Sequence, residues 1–429
     1  MGIFVLMLLP LATTGLFMPS SSAPLTSRAP PIEPFSGPFW LRSSIHPKPA
    51  GSDTTKVGSL TIPSIAIGTI AWTSDDAPEL KSLVKKSLES GVNFFDTAER
   101  YGANGAQVAL GLGWGNGETD LADYLREAGH EGVKRNKMTT ASNIVATKFT
   151  PSPWRTTAAS VVKACERSRD RLGVETIDLY QIHMPDIVQP LSRLGFKSER
   201  KDKVYWDGLA ECYLRGLVKN VGVSNYGPSL LAEAHEHLAK RGVPLASNQI
   251  NYSLLYRGSS GAQTTVNAGR DLGVKTLAYF PLAMGLLTDK YRDFSVPRNG
   301  SERKVDSKRS ILETRELESY VGRVEPLMLV LRQIATDINK RRGSGSSKVT
   351  PSEVALNWVV TKGAVPIVGC RTCAHLDSAR NSMGWRLTKS QVLRLENASD
   401  ECEVEFGGAG FKRSSEKFVG YGVEKWKLD

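Results

Sequence analysis

Cysteine is scarce in this chain of 429 residues: Cys165, Cys212, Cys370, Cys373 and Cys402 are odd in number and widely spread, which excludes a disulfide framework. Cys370-x-x-Cys373 has no companion ligands at zinc spacing, so no metal site is read. Coincidence is the plainer account of that pair, and a thiol switch is the alternative. Long apolar runs are missing too. Residues 3–12 form a short one at the N-terminus, and no other stretch approaches the length of a membrane span. Absent as well is any basic helix interleaved with aromatics, although the formal net charge is +11. The excess cations are scattered or lie in loop-like runs such as Ser301-Glu302-Arg303-Lys304 and Ser307-Lys308-Arg309, a solvated surface rather than a nucleic-acid interface. The run Gly111-Leu112-Gly113-Trp114-Gly115-Asn116-Gly117 follows a helical stretch instead of a strand and misses the G-x-G-x-x-G spacing, which excludes a Rossmann loop.

What is present begins with a leader. Residues 3–12 have the length and composition of a signal-peptide core. Residues 19–50 are rich in Ser and Pro, with Arg28, Arg42 and Lys48 against Glu33 as the only acid. Together they resemble the two-part leaders of plastid proteins in algae with complex plastids. Secretion is the weaker alternative, which the cysteine usage disfavours. Residues 1–50 are therefore expected to be cleaved or unstructured and residues 57–402 to fold. The tail, 403–429, carries Phe406, Phe411, Phe418, Tyr421 and Trp426 and is expected to pack on that body.

From about Lys81 onward one pattern recurs. An amphipathic helical stretch ends at a glycine, and a short apolar run follows, as at Gly91, Gly173, Gly216, Gly242, Gly273 and Gly363. Glycine suits the left-handed position that closes a helix, and runs that are apolar on both faces suit strands covered by helices. With residues 64–69 and 143–147 there are eight candidate strands alternating with helices. That alternation predicts an α/β fold with parallel crossovers, a (β/α)₈ TIM barrel ahead of an open doubly wound sheet. Residues 187–203 and 292–310 read as long loops after strands, and 342–347 as a loop between helices.

In such a barrel the functional groups come from the C-terminal ends of the strands. Here those ends carry Thr69, Asp96, Lys148, His183, Ser224-Asn225, Gln249, Tyr279 and Gly369, and Tyr101 follows Asp96 closely. Taken singly, Asp96 also reads as a helix cap, Lys148 as a solvated strand end and His183 as a satisfied core histidine. As a set, converging on one mouth, they pose a problem in proton chemistry. A phenol is a poor acid near neutrality, a neighbouring ammonium sharpens it, and a carboxylate holds the ammonium in place. A neutral imidazole then orients a carbonyl by hydrogen bonding. Such an arrangement protonates a carbonyl oxygen. No side chain delivers hydride, so a nicotinamide cofactor is implied. Trp72, Trp154 and Trp206 near the mouth are candidates for an apolar substrate pocket or for packing anchors.

These segments, in order, resemble the aldo-keto reductases, most closely the plastid-type plant and algal members. Phe95-Asp96-Thr97-Ala98-Glu99-Arg100-Tyr101-Gly102 is similar to the family's Asp/Tyr signature. Ala146-Thr147-Lys148-Phe149, Asp178-Leu179-Tyr180-Gln181-Ile182-His183 and Gly222-Val223-Ser224-Asn225-Tyr226 follow, then Asn248-Gln249-Ile250-Asn251-Tyr252-Ser253. Pro281-Leu282-Ala283-Met284-Gly285-Leu286-Leu287-Thr288-Asp289-Lys290-Tyr291 and Pro366-Ile367-Val368-Gly369 complete the series. The resemblance implies that Tyr101 is the general acid, Lys148 and Asp96 its tuning pair, and His183 the carbonyl-orienting group. It implies that Ser224, Asn225 and Gln249 hold the nicotinamide carboxamide, with Tyr279 stacked on the ring and Thr69 nearby. Leu282, Gly285 and Lys290 would follow the pyrophosphate, and Gly369, Arg371 and His375 the adenosine end, favouring NADPH/NADP+ over NADH. Three positions depart from the family: Phe280 stands where Ser is common, His375 where Gln is common, and Ser378-Ala379 where an acid–Asn pair is common. The reading is an NADPH-dependent reductase of small-molecule aldehydes or ketones. The alternative is an NADPH-binding regulatory subunit with little turnover, and an anion- or nucleic-acid-binding protein is the weakest.

Overall fold

Eight short parallel runs close into a barrel, the last pairing with the first. The computed structural model describes residues 53–102, 115–132, 143–152, 154–186, 200–258, 261–295, 314–342 and 347–402. The leader at 1–50, the tail at 403–429, Gly111 to Trp114, the loop 343–346 and most of the loops 187–203 and 292–310 lie outside the described residues. A hairpin comes first, β1 (Thr54–Val57) antiparallel to β2 (Leu60–Pro63). Then β3 (Ala66–Gly68), β4 (Phe94–Asp96), β5 (Ile144–Phe149), β6 (Leu179–Ile182), β7 (Val221–Ser224), β8 (Leu245–Asn251), β9 (Lys275–Tyr279) and β10 (Val365–Val368) form a closed parallel barrel, β10 pairing back to β3. This is the (β/α)₈ barrel that the alternation predicts.

The connecting helices are α1 (Ala77–Glu89), α2 (Gly117–Gly132), α3 (Ala158–Leu172), α4 (Asp202–Leu214), α5 (Pro228–Ala239), α6 (Ala262–Asp271), α7 (Thr314–Arg342) and α8 (Pro351–Thr361), followed by α9 (Cys373–Asn381) and α10 (Lys389–Glu401). All six glycines read as helix terminators have positive φ, which only glycine adopts without steric cost. Helix α4 starts at Asp202 and a 3₁₀ turn spans Asp289–Ser295, so the ends of both expected long loops are ordered into helical turns.

Residues of alternate registers divide the core. Phe94, Ile144, Ala146, Leu179, Leu277, Val365 and Ile367 fill the barrel interior. Val57, Leu60 and Ile62 of the hairpin join that same cluster. Phe94, Ile144, Leu179 and Val365 are the first residues of their strands, so the hairpin plugs the N-terminal end. Gly58, at φ +54, makes its turn, and a Cβ there would lie 2.1 Å from Asn220 Oδ1. No sequence pattern read above anticipates this plug. The opposite end of the barrel is left to the polar strand termini.

Candidate active site

A period of two carries the apolar interior into the mouth. Asp96 follows Phe94 by two, Lys148 follows Ala146, Tyr279 follows Leu277, and each inward position changes from apolar to polar at the C-terminal end. Register seats these ends together: Gly68 lies opposite Asp96, Asp96 opposite Ala146, Ser224 opposite Gln249 and Asn251 opposite Tyr279.

Lys148 is wholly buried and its ammonium donates three hydrogen bonds, 2.7 Å to Asp96 Oδ2, 2.7 Å to the Thr97 carbonyl and 3.3 Å to Tyr101 Oη. That saturates the ammonium. It also makes the phenolic oxygen an acceptor from Lys148, so the Tyr101 proton is directed elsewhere. Asp96 Oδ1 accepts from Gln249 Nε2 at 2.8 Å, a brace on the carboxylate that sequence reasoning missed because the partners lie on strands far apart in the chain. Burial of a charge pair is costly unless fully satisfied, and here both ions are.

The ring centroids of Tyr101 and His183 lie 5.9 Å apart, edge to face. Burial, then the charges of Lys148 and Arg100, hold His183 well below the usual imidazole range, so it is neutral near pH 7. Burial, then Asp96, pushes the Tyr101 phenol well above its ordinary value. The expected lowering by Lys148 is therefore not the net effect: the ammonium is neutralised by Asp96, and desolvation dominates. Tyr101 keeps its proton at neutral pH, which is the form a proton donor needs.

Glycine supports the phenol from beneath. A Cβ on Gly117 would come within 2.9 Å of the Tyr101 Cβ and carbonyl oxygen, and the Gly117 amide donates to that oxygen at 2.9 Å. The last glycine of the run dismissed as a dinucleotide loop thus packs on the tyrosine.

The residues assigned to the nicotinamide end are brought together and bonded to one another. Ser224 Oγ donates to the Gln249 carbonyl at 2.8 Å, Asn225 Nδ2 to the His183 carbonyl at 3.0 Å, and Tyr279 Oη to Asn225 Oδ1 at 2.8 Å. The Thr69 hydroxyl donates to the Asp96 carbonyl at 3.2 Å. Non-glycine residues with positive φ are Asn225, Phe280, Ala283 and Met284 among the described residues. Three of them fall in the turn after β9 that holds Leu282 and Gly285, and such strain concentrates where a ligand is gripped. Phe280 packs edge-on against the Tyr279 ring with centroids 5.2 Å apart.

At the other end, Gly369 is exposed and a Cβ there would meet nothing within 4 Å. The fold itself does not demand glycine, and the open space fits close approach of a ligand. His375 Nδ1 accepts from the Arg371 amide at 3.3 Å. Burial, then Arg371 and Lys290, lowers its affinity for a proton, against an opposing effect of Glu79. Arg371 beside an open glycine fits a phosphate.

Of the tryptophans read as pocket lining or packing anchors, two are packed. Trp206 is fully buried and donates to Tyr226 Oη at 3.1 Å, and Trp72 donates to the Cys370 carbonyl at 2.7 Å. Trp154 is 53% exposed on the loop after β5. Cys370 and Cys373 are free thiols, and burial pushes Cys370 up to about 12, far from a reactive thiolate. Among the described residues no group of three metal-ligating side chains occurs, and no helix is long and apolar enough to cross a membrane.

The model of the aldo/keto reductase family matches residues 64–400. A chloroplastic pyridoxal reductase of Arabidopsis thaliana is 34% identical over 406 residues, 92% of this chain and 96% of that protein. Among solved structures, a glycerol dehydrogenase of Gluconobacter oxydans superposes with a TM-score of 0.58 at 23% identity, covering 82% of this chain and 96% of that one. An aldo-keto reductase of Bombyx mori in complex with NADP gives a TM-score of 0.55 at 20% identity, covering 80% and 92%. At these identities the structural likeness is one of fold.

Proposed function

The chain belongs to the aldo/keto reductase family, and from that premise we propose that it reduces an aldehyde or ketone with NADPH, Tyr101 giving the proton. The observation that carries this reading is the hydrogen bond from Lys148 Nζ to Tyr101 Oη at 3.3 Å, which leaves the phenolic proton to point into the mouth. His183, neutral, donates to the carbonyl oxygen of the substrate and sets it against Tyr101. When bound, NADPH supplies the hydride. As negative charge develops on the carbonyl oxygen, that oxygen becomes more basic than the phenolate and takes the Tyr101 proton. Lys148, held by Asp96 and the Thr97 carbonyl, stabilises the phenolate left behind. Ser224, Asn225 and Gln249 with Tyr279 and Thr69 are assigned to the nicotinamide end, Leu282, Gly285 and Lys290 to the pyrophosphate. Gly369, Arg371 and His375 are assigned to the adenosine 2′-phosphate, supported by the open space at the glycine.

The Arabidopsis relative's name makes pyridoxal the first substrate to assay. NADPH oxidation with pyridoxal and a panel of other aldehydes is expected to be fast in the wild type and at least about 100-fold slower in Tyr101→Phe. Equal inactivity of both throughout the panel would sink the catalytic assignment, and NADPH binding without turnover would support the regulatory-subunit reading. The leader at 1–50 is assigned to plastid import and the barrel to 57–402. The leader's composition and the chloroplastic relative support that assignment.

A further inference from the structure

Behind the mouth lies a second buried ion pair that the mechanism does not use. Arg155 grips Glu99 with both terminal guanidinium nitrogens, Nη1 at 2.6 Å and Nη2 at 3.2 Å, and both side chains are nearly inaccessible. The Arg155 guanidinium also lies 4.7 Å from the Phe149 ring centroid. A buried ion pair is poor evidence of stabilisation, since well-packed apolar groups often serve the fold as well. Its placement says more. Glu99 sits on the loop of Tyr101, two residues before it. Its Oε1 accepts from the Thr150 amide at 2.6 Å, while Arg155 donates to the Thr150 carbonyl at 3.1 Å. Both main-chain groups of Thr150 are therefore clamped, and the Thr150 hydroxyl lies 3.4 Å from His183 Nδ1.

We propose that the Glu99–Arg155 pair is a positioning element that ties the Tyr101 loop to His183 and, through the Thr150 hydroxyl, holds His183 in its Nε2–H tautomer. This rests on the reading that Tyr101 and His183 meet a carbonyl. A neutral imidazole has one donor and one acceptor nitrogen. For Nε2 to donate to a carbonyl, Nδ1 must accept, and the Thr150 hydroxyl, which can act as donor or acceptor, lies within reach of Nδ1 to serve as its donor in that tautomer. The hydroxyl holds its place only while the Thr150 backbone is fixed, and the ion pair fixes it from both sides. The carboxylate that does so belongs to the loop of the proton donor, so one device sets both the tautomer and the spacing of the two reacting groups. The segments that follow three strands contribute, β4 through Glu99, β5 through Thr150 and Arg155, and β6 through His183.

The test reads the tautomer directly. The full chain is labelled with ring-¹⁵N histidine, and the His183 resonances are assigned by their loss in His183→Asn. Wild type, Thr150→Ser, Thr150→Val and Arg155→Lys are compared, because Ser keeps the hydroxyl, Val removes it at equal volume, and Lys keeps the charge but not the fork. The expected result is the Nε2–H tautomer in wild type and Thr150→Ser. A shift towards Nδ1–H is expected in Thr150→Val and Arg155→Lys. Alongside it, kcat for carbonyl reduction falls roughly tenfold or more while the Kd for NADPH is unchanged. An unchanged His183 tautomer with kcat within about twofold of wild type in both variants overturns the proposal. Because the tautomer is read without substrate, a wild type that reduces no carbonyl, with the tautomer shift still seen in the two variants, overturns the carbonyl reading and leaves the positioning role standing.

Discussion

Tyr101 owes its position to a neighbour with no side chain. Alanine at Gly117 would press a methyl group within 2.9 Å of the Tyr101 carbonyl oxygen and Cβ, and backbone cannot swing aside as a flexible side chain does. Gly117→Ala is therefore expected to displace the phenol from Lys148 and to lower kcat by about 10- to 100-fold while the protein remains folded. Steady-state kinetics beside a thermal melt checks this, and wild-type kcat would show that the loop absorbs the methyl group. At this scale Asp96, Lys148 and His183 were legible because each stands at the polar end of an apolar run. Gly117 and the Glu99–Arg155 pair were not. Glu99 meets Arg155 across 56 positions of sequence, and neither residue type marks its own partner. Trp206 stayed undecided for the same reason: an aromatic in a sequence carries no sign of whether it faces a cavity or a neighbouring helix.

At the scale of elements, the helix ends were the most readable feature because glycine termination is a local backbone requirement. Capping boxes at α8 and α10, Thr350 with Glu353 and Thr388 with Gln391, are local in the same way. Helix-to-helix contact is not local. Gly208 in α4 lies so near α3 that a Cβ would fall 2.5 Å from Val161 Cβ and 2.8 Å from the Ala158 carbonyl oxygen. Helix propensity alone favours alanine there, yet overpacking wins: Gly208→Ala is expected to destabilise the protein by about 1–3 kcal/mol. Denaturant titration measures this, and a gain in stability would mean that the helices separate freely. The hairpin β1–β2 went unread because its four-residue strands are too short to show a period, although Val57-Gly58-Ser59-Leu60 has a two-residue turn signal.

At the scale of the whole molecule, the approach to the hairpin is tied to a segment more than 300 residues later. Asp53, just before the hairpin, accepts from Arg386 Nη2 at 2.6 Å and Nη1 at 2.8 Å, and from the Gly384 amide at 2.8 Å. Burial opposes ionisation of Asp53, but these donors and Ser64 outweigh it and hold the carboxyl below the usual carboxylate range. A lowered folded-state pKa contributes stability above the unfolded value, near 3.9 for aspartate, and loses it as pH falls through the folded value. Asp53→Asn is expected to cost about 1–3 kcal/mol at neutral pH, with the difference from wild type shrinking below about pH 4. Denaturant melts at neutral and acid pH test the sign, and a difference that grows on acidification would refute it.

The sequence by itself determined the alternation of strand and helix, the glycine stops and the polar strand ends, because each depends on the few residues around it. Those features were enough to predict a (β/α)₈ barrel and to nominate its mouth. Only the tertiary structure decided what the nominated groups do to one another. Register brought Gln249 to Asp96, burial set Tyr101 and His183 on opposite sides of their ordinary ranges, and the hairpin closed the end away from the mouth. Distances and desolvation are properties of the closed barrel, and no local pattern encodes them.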